Sequence, residues 1–302
     1  MSSPTCTPSE IPELSEPFVQ VLGVAQDAGH PQAGCYAACC RDAWDNPGLA
    51  HRVAALGVGD PETGERWIVD ATPDFPAQLR DLDCAFNPPG GGSLSGIVLT
   101  HAHIGHYLGL VHLGREAMSC ENLPVYATPK MCAFLEQSGP WELLVRLGNI
   151  RLVPVGVNEE IALGARIRFR FLPIPHRGEY SDTVAVLLEG ESRSVFYLPD
   201  IDQWERWVRP VEEVIAQVDR AYLDGTFFSP EELGGRSMEE VPHPLVCESL
   251  KRFSGLAESE KSKIHFLHFN HTNPLLKLDS AERQMLSNAG LGVASRGDVF
   301  SI

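Results

Sequence analysis

The chain has 302 residues, 43% of them hydrophobic, and a formal charge of −16 at pH 7. That length and composition build a full core and exclude a disordered chain. The negative charge repels phosphate backbones and anionic bilayers, so it argues against a nucleic-acid or membrane partner unless a local basic patch overrides it.

The first 17 residues, MSSPTCTPSEIPELSEP, are polar, Pro-rich and acidic, and lack the basic start and apolar stretch of a secretory leader. They are expected as a flexible tail ahead of one domain over 18–302. No run approaches the roughly 18 uninterrupted apolar residues of a membrane span, so a cytoplasmic protein is expected. Reduced thiols or a metal site are the expected state of its eight cysteines.

FVQVLGV (18–24) reads as a buried strand, followed by the long Gly- and Pro-containing loop AQDAGHPQAG. Further strands are expected at 66–70, 96–100, 123–127, 149–155, 165–174, 183–189, 194–198, 220–224 and 263–269, and helices near 74–83, 106–118, 128–137, 203–217, 245–254 and 279–288. Strands outnumber helices and come in runs. The expected fold is therefore α/β with two mixed sheets packed face to face and helices outside, not a doubly wound sheet. NPPGGGSLSG (87–96) reads as a surface loop, and its GGG lacks the Lys-Ser/Thr sequel of a phosphate-binding loop. Arg166, Arg168 and Arg170 alternate along one strand face.

LTHAHIGHYLGL (99–110) places three histidines directly after an apolar strand. His101 and His103 are two apart in an extended segment and point the same way, and His106 can swing in from the first turn of the next helix. Imidazoles this close suit Zn or Fe. His176, Asp200 and His268 each close a further apolar strand, and a carboxylate at the end of a buried strand needs a cap or a cation. Asp224 ends another such strand and is expected to orient a metal-bound histidine. Asp70 and Asp74 are expected either to do the same or to cap the helix near 74. His30, His51, His112 and His265 receive no role.

The order His-x-His-x-x-His, then a lone His, a lone Asp and a late His, resembles the metallo-β-lactamase superfamily over nearly the full chain. The resemblance implies an αββα sandwich with metals at the sheet edge. VLGVAQDAGHPQAGC, IVDATPDFPAQL, YLDGTFFSPEEL, HTNPLLKLDSAERQML and the closing GDVFSI resemble the PqqB family of pyrroloquinoline quinone (PQQ) biosynthesis and its neighbours, the PhnP cyclic phosphodiesterases. Carried over, the resemblance puts His101, His103 and His176 on one ion and His106 and His268 on a second, with Asp200 bridging. Gly105 stands where the family has an aspartate, so the second ion is expected to be short of a carboxylate and to bind weakly. Asp182 could replace it only if its loop folds back. GCYAACC is not a standard zinc-finger spacing. By resemblance to the PhnP type, Cys35, Cys39, Cys40 and His271 are expected to hold a structural zinc. His243 lies where related hydrolases place a general acid.

The expected activity is that of a metallo-hydrolase with one or two Zn or Fe ions, cleaving an ester or phosphodiester of a small molecule or peptide. Asp200 would orient or deprotonate the attacking water, and His243 would protonate the leaving group. The alternative is a PqqB-type iron oxygenase that hydroxylates a tyrosine-derived peptide precursor, for which an incomplete second site would leave open positions. A third reading is a non-enzymatic carrier or binding protein.

Overall fold

The computed structural model describes residues 15–86, 94–233 and 242–302. Most of the tail expected over 1–17, and most of the loop expected over 87–96, lie outside the described residues. Strands β1 (Phe18–Gly23), β2 (Ala55–Gly59), β3 (Arg66–Val69), β4 (Gly96–Val98), β5 (Leu123–Ala127) and β6 (Ile150–Pro154) follow one another across a first sheet. A second sheet is built, in reverse order, from β7 (Glu160–Ala162), β8 (Arg168–Pro173), β9 (Val184–Glu189), β10 (Ser194–Leu198), β11 (Arg220–Asp224), β12 (Ile264–Leu267) and β13 (Gly292–Val293). The C-terminal β14 (Val299–Ser301) returns to pair antiparallel with β1. Both sheets are mixed: β3 to β6 are parallel in the first and β10 to β13 in the second, with antiparallel strands beside them.

The sheets pack through a core to which the first contributes Val19, Val21, Leu56, Val58, Trp67 and Val69, and the second Phe169, Phe171, Val186, Tyr197, Leu223 and Phe266. The outer face of the first sheet is covered separately. Phe18, Leu22, Ile68 and Ile97 meet Phe75 and Leu82 of helix α2 (Phe75–Phe86), and the helices Pro129–Gln137 and Trp141–Arg146. β1, apolar but for Gln20, and β4 read as continuous runs because both of their faces are buried.

Each of the ten expected strands is present. The short β2, β7, β13 and β14 were not expected, and neither was helix α1 (Ala38–Asp45). The helix expected over 203–217 is split into a single turn at Trp204–Arg206 and a helix at Val211–Gln217. Pro210 lies between them, and without an N–H it cannot carry a helical ladder across the break. The arginine row is not a free basic patch. Arg166 pairs with Asp60, Glu62 and Glu191, and Arg170 with Glu160 and Glu189. Among the described residues, no helix is long and apolar enough to cross a membrane.

Candidate metal centre

Strands β3, β4, β8, β10, β11 and β12 all run towards one edge of the sandwich, and a titratable residue follows or closes each of them. These are Asp70 after β3, His101 and His103 after β4, His176 after β8, Asp200 after β10, Asp224 at the end of β11, and His268 after β12. His106 is added by the short helix α3 (Ile104–Tyr107). Asp70 and His268 hold φ angles of 68° and 65°. That left-handed conformation costs a non-glycine residue of order 1 kcal/mol, and it turns each side chain off its strand into the site.

The side chains meet in two groups that share Asp200. In the first, His103 Nδ1 lies 2.9 Å from His101 Nε2 and 3.2 Å from His176 Nε2, and Asp200 Oδ2 is 3.4 Å from His101 Nε2. In the second, His106 Nε2 lies 3.0 Å from Asp200 Oδ2 and 3.1 Å from Asp27 Oδ1. His268 Nε2 lies 3.3 Å from Asp200 Oδ2 and 3.7 Å from Asp27 Oδ1. Nitrogen and oxygen donors about 2.0–2.1 Å from a tetrahedral ion stand about 3.3–3.4 Å apart, so both groups fit a transition-metal cation.

Hydrogen bonds on the far side of each imidazole fix its tautomer. Asp70 is fully buried; its Oδ2 accepts from His106 Nδ1 at 2.8 Å, and its Oδ1 accepts from the Thr100 amide and hydroxyl at 2.9 Å. The Thr100 hydroxyl in turn accepts from His101 Nδ1 at 3.0 Å. Thr226 donates to Asp224 at 2.7 Å and accepts from His268 Nδ1 at 3.1 Å. His176 Nδ1 donates to Asp202, which Arg206 also holds, and His103 Nε2 donates to Glu179 at 3.2 Å. With those nitrogens protonated, His101, His106, His176 and His268 each present an Nε2 lone pair inward and His103 its Nδ1, the state a metal ligand requires.

The electrostatics ask for positive charge here. Burial would raise the Asp200 carboxyl, but His268, His176 and His106 hold it well below the usual carboxylate range. Asp27 is likewise held well below that range: burial works against this, and His106 and His268 outweigh it. Burial opposes charge on His106, yet Asp70, Asp200 and Asp27 push it well above the ordinary imidazole value. A proton is the minimal compensation for so many buried carboxylates, and a divalent cation is a fuller one. Beside this centre His243 is buried and donates Nδ1 to Asp224 at 2.7 Å. Burial would lower its pKa, but Asp224 and Asp200 raise it to about 9.

A separate cluster joins the N-terminal loop to the C-terminal segment. Cys35 Sγ is 3.6 Å from Cys39 Sγ, and His271 Nδ1 is 3.6 Å from Cys39 Sγ and 3.4 Å from Cys40 Sγ. Tetrahedral zinc with bonds of about 2.3 Å to sulfur and 2.0–2.1 Å to nitrogen spaces its ligands about 3.5–3.8 Å apart. The sequence-expected set is thus assembled, with Cys39 and Cys40 brought together at the start of α1. Cys35, Cys39, Cys40, Cys120, Cys132 and Cys247 are free of disulfides, whereas Cys84 is disulfide-bonded, which departs from the expectation of reduced thiols or a metal site.

A family model for the beta-lactamase superfamily domain matches residues 65–266. The chain belongs to the β-lactamase superfamily. Its two sheets and outer helices are the metallo-β-lactamase fold, as expected. Curated relatives of this superfamily member include the coenzyme PQQ synthesis protein B of Acinetobacter baylyi, 25% identical over 313 residues that cover 94% of this chain and 100% of the relative. The protein of the same name from Pseudomonas aeruginosa is 28% identical over 305 residues, covering 92% and 98%. Among solved structures, Zn(2+)-bound PqqB from Methylobacterium extorquens superposes with a TM-score of 0.80 at 20% identity, covering 94% of this chain and 100% of that one. A diphosphatase of the PhnP family gives 0.66 at 22% identity, covering 95% and 97%.

Within this superfamily fold, His101, His103, His106, His176, Asp200 and His268 converge as the sequence reading expected. The expectation of a second group short of a carboxylate is corrected, because Asp27 stands in it. Asp182 does not fold back; its carboxylate accepts from Thr128. Asp74 stays with the backbone, accepting from the Val53 amide at 2.9 Å, while Asp70 and Asp224 hold the histidine network. Asp27 was missed because it lies in a stretch read only as a long loop. The available signal was a glycine at 105 together with an aspartate in a Gly-bounded turn after the first strand.

Proposed function

We propose that this superfamily member is a metal-dependent hydrolase of an ester or phosphodiester in a small molecule or peptide. His101, His103, His176 and Asp200 would hold one Zn or Fe ion, and His106, His268 and Asp200 a second, with structural zinc on Cys35, Cys39, Cys40 and His271. The observation that carries this reading is the pair of adjacent donor groups sharing one buried carboxylate. When bound, such cations supply a water nucleophile acidified towards neutrality and positive charge for a developing oxyanion.

The chain's own residues supply the rest. Asp200, shared by both groups, would orient or deprotonate the attacking water. His243 has Nδ1 committed to Asp224 and a pKa of about 9, so it is protonated at neutral pH and offers Nε2–H to a leaving oxygen. Asp224 keeps it charged. The net charge of −16 favours a small substrate over a polyanion, and the likeness to PQQ synthesis protein B and to a PhnP-family diphosphatase supports the same choice. A carboxylate of Asp27 beside the second group weighs against the vacancy on which the oxygenase alternative rests, and so supports the hydrolase reading.

Elemental analysis of wild type, His103→Ala and Cys39→Ala, paired with phosphodiester and peptide-ester assays in air and under nitrogen, tests the reading. Loss of an ion and of turnover in His103→Ala, with turnover indifferent to oxygen, is the expected result. Product that forms only in air, or metal content unchanged in His103→Ala, refutes it.

A further inference from the structure

The second donor group contains a residue that the superfamily-type ligand set lacks. Asp27 lies in the turn Gln26–Gly29, closed by the Gly29 amide donating to the Gln26 carbonyl at 2.7 Å. Flanking hydrogen bonds fix that turn beside the strand end that carries His268. The Gln26 amide donates to the Phe269 carbonyl, and the Phe269 amide to the Val24 carbonyl, both at 2.8 Å. The Asp27 carboxylate is thereby delivered to the mouth of β12 by backbone pairing, not by chance side-chain placement.

Its terminal oxygen has no protein partner that satisfies it. Asp27 Oδ1, His106 Nε2, Asp200 Oδ2 and His268 Nε2 are all buried without a hydrogen bond, yet they face one another at 3.0–3.7 Å. Four orphaned buried atoms in contact would each forfeit the solvation they lost on burial unless a common partner satisfies them. Two imidazole nitrogens with turned-in lone pairs and two carboxylate oxygens can share only an electron-pair acceptor.

Gly105 explains how the carboxylate gets there. A Cβ at position 105 would lie 2.3 Å from Asp27 Oδ1, 2.6 Å from its Cα and 2.8 Å from its Cγ. Any side chain at 105 therefore excludes Asp27 in its present place, and Asp27 fills the volume that a side chain at 105 would enter. The two positions are mutually exclusive sources of one carboxylate.

Resting on the two-cation reading above, we propose that Asp27 is a ligand of the second transition-metal cation, in the place where the resemblance expects an aspartate at 105, and that Gly105, having no side chain, admits it. The second cation then has a full N2O2 set, with its carboxylate supplied from the loop after β1 and not from the histidine segment.

The test uses the full chain, stripped with chelator and titrated with Zn(II) and with Co(II), whose visible spectrum reports ligand number. Bound ions are counted by elemental analysis, affinities are measured by chelator competition, and far-UV circular dichroism and thermal melting of the stripped proteins serve as the folding control. Asp27→Asn is expected to fold as wild type but to bind the second cation at least ~100-fold more weakly. Gly105→Asp alone is expected to melt earlier, from the clash. The double exchange Asp27→Gly/Gly105→Asp is expected to regain both the ion and the Co(II) spectrum. If Asp27→Asn keeps wild-type stoichiometry and affinity while His106→Ala loses an ion, Asp27 is not a ligand and the two-cation reading survives. If wild type and His106→Ala bind equal numbers of ions, the two-cation reading falls and this proposal with it.

Discussion

Replacing Asp70 by Asn tests how far the metal centre depends on a residue that touches no cation. Asp70 Oδ1 accepts from the Thr100 amide and hydroxyl, and Oδ2 from His106 Nδ1. An asparagine keeps an oxygen for Thr100, so the Thr100 hydroxyl still accepts from His101 Nδ1 and the first donor group is unchanged. The amide nitrogen then replaces Oδ2 and presents N–H to His106 Nδ1. To accept it, His106 must move its proton to Nε2, the atom 3.0 Å from Asp200 and 3.1 Å from Asp27. A protonated Nε2 has no lone pair, so the second group loses a donor while every side chain keeps its shape. Outer partners of metal-bound histidines typically hold 10- to 100-fold in affinity, about 1.4–2.7 kcal/mol. Stepwise Co(II) titration of the stripped protein reads this: the step that His106→Ala abolishes should shift by that factor and the other histidine-site step by less than about threefold. Equal loss at both steps, or no shift at either, would refute the tautomer argument.

Three further outcomes follow from the geometry. His243→Gln should lower kcat by ~10²- to 10⁴-fold on substrates with poor alkoxide leaving groups and much less on nitrophenyl esters, which need no protonation; equal loss on both would show that His243 is not the proton donor. Cys39→Ser should release one zinc per chain and lower the unfolding free energy by roughly 3 kcal/mol or more, read by urea denaturation. His265, beside Arg220, has its pKa lowered from 6.5 to about 4, chiefly by burial. Because its folded value lies below its unfolded one, it contributes stability above pH 6.5 that is lost as the pH falls towards 4, about 3 kcal/mol at most. His265→Gln should flatten the stability profile across that window, measured against wild type by thermal melting at matched pH.

What the sequence disclosed follows from how local each signal is. His101, His103 and His106 lie within six positions, so chain geometry alone brings them together. His176, Asp200 and His268 were legible because a polar residue closing an apolar strand is conspicuous. Asp27 sits 78 positions before Gly105, and only the pairing of the 24–26 segment with Phe269 decides that its loop turns inward. The unforeseen strands have a similar cause. ALGVG of β2 carries two glycines, and β7, β13 and β14 have two or three residues each. Such stretches hold as strands only because a neighbour supplies the ladder.

The cysteine cluster has a consequence beyond holding chain ends together. Its thiols lie 8 to 13 positions after Asp27, and its imidazole three positions after His268, so it grips the two backbone segments that deliver those donors. Whatever ordering a cation imposes at the cluster is ordering the buried donors no longer have to acquire, and thermodynamic reciprocity returns the same free energy in the other direction. Cations bound at the two sites would thus be thermodynamically linked through one loop. Thiol oxidation, which never reaches the histidines, would be felt first at Asp27.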